Sequence, residues 1–138
     1  MSGLMASPTI MSVAKRSQVV VANVGDPARS GLHTLTVVDV NARAVRAEIP
    51  VSGRTRWAVF EPDAQAFYVN IADPAEIVVV DARKPQSIAP TFAVPSIGPH
   101  GLDLDLDSHR LFCACDAGQL ISPLACTVRV MISPWNSD

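Results

Sequence analysis

Leu35-Thr-Val-Val-Asp-Val40 returns 42 residues later as Ile77-Val-Val-Val-Asp-Ala82. A second echo joins Arg56-Trp-Ala-Val-Phe-Glu-Pro-Asp63 to His100-Gly-Leu-Asp-Leu-Asp-Leu-Asp107, now 44 residues apart. Each stretch is a short β-rich run with an acid at or near its end, the pattern of a strand entering a turn. The other apolar residues come in similar runs, such as Val19-Val-Val-Ala22. Eleven Pro and seven Gly leave almost no uninterrupted window long enough for a helix. The pattern predicts an all-β fold.

A period in the low forties built from short strands has the length of one four-stranded propeller blade. The second unit reads as complete, with strand A at Arg56–Phe60, B at Ala66–Ile71, C at Glu76–Asp81 and D at Ile88–Val94. Glu61-Pro-Asp63 closes A to B and Asp73-Pro74 closes B to C, because proline presets φ and aspartate bonds its own backbone. The chain therefore divides into an off-pattern segment 1–17, a partial blade 18–51 with strands B, C and D, a complete blade 52–95, a partial blade 96–121 with strands A and B, and an off-pattern tail 122–138. Pro123 stands in register with Val79, where a central strand does not accept proline. In the tail, Val128, Val130 and Ile132 alternate as an edge strand that Ser133-Pro134 ends. The expected architecture is a partial β-propeller of antiparallel four-stranded blades, about two to two and a half of them, forming an open arc rather than a closed ring. Open blade faces at each end predict self-association.

Val20-Val-Ala-Asn23, Thr34-Leu-Thr-Val-Val-Asp-Val40, Ala47-Glu-Ile-Pro-Val51 and Phe67-Tyr-Val-Asn70 resemble the YVTN-type repeat of the YncE-like propellers. The resemblance covers about residues 18–121. It implies a seven-bladed propeller architecture and a binding or scaffold role without known chemistry. With too few blades and abrupt ends, the chain looks like a truncated copy. DNA binding, proposed for some relatives, is the weakest functional reading, since a net charge of −2 disperses eleven Lys and Arg among thirteen acids. Nucleic acid is thus not an expected partner, and the protein or small-molecule ligand is unspecified.

No apolar run approaches the ~20 residues needed to span a bilayer. Lys15 and Arg16 follow the apolar residues of the N-terminus instead of preceding them, so no secretory signal is read and the sequence as written implies the cytoplasm. Three cysteines make no disulfide framework; Cys113 and Cys115, two apart on a strand, are expected as buried free thiols.

Strand A lines a propeller's channel, so Arg56 and its counterpart His100 are the candidate ligand-binding residues at one channel mouth. Asp103 and Asp105 share a strand face and are candidate ligands for Ca²⁺ or Mg²⁺, although Asp105 is in register with the turn acid Glu61. Asn23 and Asn70, at the ends of the B strands, support an alternative by analogy with gluconolactonase-type propellers, a metal-dependent lactonase-like hydrolase. Turn-capping by Asx side chains accounts for the same residues. No phosphate loop, catalytic triad order or His-Glu-x-x-His motif is present, so no catalytic residue is assigned and the enzyme reading stays second. Trp57 reads as interblade core, and His33 and His109 read as loop residues whose partners the sequence does not reveal.

Overall fold

The computed structural model describes residues 9–14, 17–23, 33–86, 88–117, 119–121 and 133–134. Among the described residues, twelve strands form three four-stranded antiparallel sheets, each a simple meander. The first sheet holds β1 (Thr9–Ala14), β2 (Gln18–Asn23), β3 (Thr34–Asp39) and β4 (Ala44–Pro50). The second holds β5 (Thr55–Glu61), β6 (Ala66–Ile71), β7 (Glu76–Asp81) and β8 (Ile88–Ala93). The third holds β9 (Pro99–Asp105), β10 (Arg110–Cys115), β11 (Gln119–Ile121) and the two-residue β12 (Ser133–Pro134). The first strands of the sheets converge: β5 packs against both β1 and β9. This is an all-β, partial propeller-like arrangement.

Two differences from the sequence pattern stand at its ends. Thr9–Ala14 lacks the turn acids of a strand A, yet it pairs along β2 from Ala14↔Gln18 to Thr9↔Ala22. Without it, the backbone groups on that edge of β2 would lack partners. At the other end, Gln119–Ile121 forms a third strand against β10 in the segment 96–121, which the sequence pattern reads as strands A and B alone, and Ser133 and Pro134, read as a stop, pair with its Leu120 and Gln119. Pro123 and the proposed edge strand at Val128, Val130 and Ile132 lie outside the described residues.

The repeat extends to irregularities that no residue type announces. Each first strand carries a bulge against its second, between Ile10 and Ser12, between Thr55 and Ala58, and at His100 between Pro99 and Gly101. Strand B of each sheet is preceded by a non-glycine residue with positive φ: Ser17 (58°), Gln65 (52°) and His109 (53°). Asp39 and Asp81 end the third strands of their sheets and each accepts a turn amide, from Ala42 at 2.9 Å and Arg83 at 2.8 Å.

The sheets stack with a core in each seam. Val20, Ala22, Leu35, Val37, Ala47 and Ile49 of the first sheet meet Phe67, Val69, Ile71, Val78 and Val80 of the second. Phe60 packs against Phe67 with ring centroids 4.8 Å apart and planes tilted by 46°. Ala66, Tyr68 and Ile77, on the opposite face of the second sheet, meet Leu102, Leu111, Cys113 and Cys115 of the third. The middle sheet is therefore covered on both faces, and all six residues of β6 are buried. In β2, buried and half-buried residues alternate. Val38 and Val80 hold matching positions, but Val80 is fully buried and Val38 only half, because no described sheet covers the outer face of the first one.

Candidate functional site

An open cleft of about 540 Å³ lies where the second and third sheets meet near the converging first strands. Trp57, His100, Gly101, Leu102, Asp103, Phe112 and Ala114 line it. The bulge in β5 builds one wall. Thr55 and Ala58, three apart, are both buried, so the inserted residue breaks the alternation and turns Trp57 outward. Its side chain is 51 % exposed, which corrects the expectation of a core tryptophan.

The amide of Asn70 sets this wall. Asn70 is fully buried; its Oδ1 accepts the backbone N–H of Trp57 at 2.5 Å, and its Nδ2 faces Cys113 Sγ at 4.0 Å. Asn23 is not its equivalent. Asn70 opposes Ile77, whereas Asn23 opposes Thr34, one step beyond Leu35, the counterpart of Ile77. That single step reverses the face. Asn23 turns to the outer side of the first sheet and donates to Thr34 and Thr36 hydroxyls at 3.0 and 2.8 Å.

The opposite wall comes from β9. His100 stands in the bulge there, with Nδ1 3.3 Å from Asp116 Oδ1, and both side chains are more than half exposed. Gly98 makes the pair possible. It has φ of +67°, and a Cβ there would meet Asp116 Oδ2 at 2.6 Å. Gly53 answers a different need: a Cβ would meet the Asp73 carbonyl oxygen at 1.8 Å.

The sequence-derived candidates separate. Arg56 and His100 occupy bulges of neighbouring strands, and His100 lines the cleft, but the residue of the β5 bulge that lines it is Trp57. Arg56 keeps its Nε buried without a hydrogen-bond partner among the described residues. Asp103 lines the cleft and accepts the amide of Leu104 at 2.9 Å. Asp105 closes the following turn, accepting the Ser108 hydroxyl and, at 3.2 Å, the Asp107 amide, which hold its carboxyl below the usual range. Among the described residues, no three His, Cys, Asp or Glu side chains gather into a group able to hold a metal ion. Cys113 and Cys115 are buried free thiols, and burial, with Cys115 beside it, pushes the Cys113 thiol up to about 12.

His109 has a partner that the sequence does not reveal. Its Nδ1 lies 2.8 Å from Glu61 Oε1 on the neighbouring sheet. A residue 48 positions away leaves no local signal for this contact. Among the described residues, no helix is long and apolar enough to cross a membrane.

No family model matches the chain, and no curated protein does. Solved structures do. Hydrazine synthase of Kuenenia stuttgartiensis, which contains a β-propeller, superposes with a TM-score of 0.79 at 21 % identity. The match covers 100 % of this chain and 38 % of that one, so the chain spans well under half the length of this neighbour. At that identity the likeness is one of fold.

Proposed function

We propose that the chain is a propeller scaffold of the YncE-like, YVTN-repeat kind, with a binding role and no catalysis of its own. The observation that carries this reading is the cleft beside Trp57. An exposed indole beside half-buried Phe112 and buried Leu102 offers an apolar surface to a ligand. The polar lining is Asp103 and the His100 ring, with Asp116 paired to that ring. A small molecule with an aromatic body and a basic end fits this chemistry: the ring packs on Trp57 and Phe112, and the ammonium meets Asp103.

The lactonase-like alternative asks Asn23 and Asn70 to share a metal site, but their amides serve opposite faces of their sheets. The DNA-binding alternative needs a basic face, and a net charge of −2 disperses the cations among acids, two of them, Arg46 and Arg83, being paired with Asp39 and Asp81.

Titration with 2-phenylethylamine and with phenylacetate, followed by amide chemical shifts, tests the reading. The amine is expected to shift residues 57, 100–103, 112 and 114, the acid to bind more weakly, and Trp57→Ala to abolish both responses. Shifts scattered elsewhere, or unchanged in Trp57→Ala, contradict it.

A further inference from the structure

Glu61 ends β5 with its side chain only 4 % exposed. A carboxylate so placed needs donors, since burying its charge without them is strongly unfavourable. It has two from different sheets: the Tyr68 hydroxyl donates to Oε2 at 2.9 Å, and His109 Nδ1 approaches Oε1 at 2.8 Å. Asp105, in the matching position of the third sheet, spends its carboxylate on its own turn. Glu61 faces the third sheet and reaches across the seam, whereas no described sheet lies across from Asp105. His109 is aimed there by its positive φ, in the position that Ser17 and Gln65 fill in the other sheets.

We propose that the Glu61–His109 pair is a pH-sensitive latch, which clamps the β9–β10 turn to the second sheet while the imidazole is protonated and loosens as it loses its proton.

The charged groups around the ring favour the protonated form. Glu61 and Asp63 face it from the end of β5 and its turn, with Asp63 Oδ2 at 3.9 Å from Nε2, and Asp105 adds its field from the end of β9. Arg110 follows directly in the chain and acts on Asp105. The hydrogen bond to Glu61, before any other cause, raises the His109 pKa above its ordinary 6.5. A raised folded-state value means that the latch contributes fully below the unfolded pKa of about 6.5 and is lost as pH rises through the folded value. The ring is half exposed, so solvent limits the effect.

Proton NMR of the His109 ring in the intact chain, with and without Glu61→Gln, tests the latch together with a double-mutant cycle of Glu61→Gln and His109→Gln. The wild-type midpoint is expected above about 6.5 and to fall when Glu61 is neutralised. The cycle is expected to show a roughly two- to fivefold coupling in the unfolding equilibrium near pH 5.5 that is smaller near pH 9, where at most a hydrogen bond from the neutral ring remains. A wild-type midpoint at or below 6.5 overturns the latch, even if Glu61→Gln does not fold. So does a coupling equal at both pH values.

Discussion

The two seams of this molecule are built from the same repeat and are chemically unlike. The seam between the first and second sheets is mainly apolar, with Leu35, Val37 and Val20 set against Phe67, Val69 and Val80, and its buried Gln18 and Thr55 make no side-chain hydrogen bond through Oε1 or Oγ1 among the described residues. The second seam adds a buried amide, a buried carboxylate, a phenol and an imidazole, through Asn70, Glu61, Tyr68 and His109. Hydrophobic burial is non-directional and tolerates sliding, whereas each polar contact is costly unless it is made in register. The first seam therefore supplies cohesion, and the second adds alignment. The cleft opens beside the aligned seam, where Asn70 fixes the bulge that presents Trp57.

The largest expected effect falls on the apolar seam. Phe67→Ala removes a fully buried ring and its tilted contact with Phe60, and should cost about 3–5 kcal/mol in denaturant unfolding. A loss below ~1 kcal/mol would mean that the first seam is not packed as described. Asn70→Ala comes next. It leaves the Trp57 amide without its acceptor, for a cost of about 1–3 kcal/mol. The diagnostic readout is Trp57 fluorescence, which should change in Asn70→Ala and stay constant in Asn23→Ala, whose amide faces the other way.

How much of this was legible in the sequence follows from the kind of force involved. Strands Ala66–Ile71 and Glu76–Asp81 coincide with the sequence reading, because apolar runs between turn residues report burial directly. Thr9–Ala14 was not legible, since its strand state comes from pairing with β2 and not from its own turn chemistry. The bulges escaped as well. An inserted residue changes no composition, yet it moved Trp57 from an expected core position to the cleft. Of the cleft lining, the alignment of strands singled out His100, and alternation with leucines singled out Asp103 only as a metal ligand; that both line one cleft with Phe112 and Ala114, like the Glu61–His109 contact, depends on how two sheets stack.

Smaller effects sharpen the contrast at the edges. Gly98→Ala should cost about 1 kcal/mol through its positive φ and displace Asp116 from His100, weakening phenylethylamine binding more than stability. Asp81→Asn should cost less than ~1 kcal/mol, because its pairing with Arg83 at 2.9 Å is solvent-screened. The hydrogen bond from Arg83 lowers the Asp81 pKa below 3.8, so this contribution is present above pH 3.8 and lost as pH falls through the folded value. Acid titration of the variant against wild type checks the sign, which is opposite to that of His109.

The stacking of three sheets with two separate seams is tested most directly by methyl and aromatic NOE spectroscopy on the selectively labelled chain. The account predicts cross-peaks from Leu35 and Val37 to residues of the first cluster, such as Phe67 and Val80, and from Leu111 to those of the second, such as Tyr68 and Ile77. It predicts none between Leu35 and Leu111, which the second sheet separates. Cross-peaks joining Leu35 or Val37 directly to Leu111 or Leu102 would place the first and third sheets face to face and contradict the arrangement.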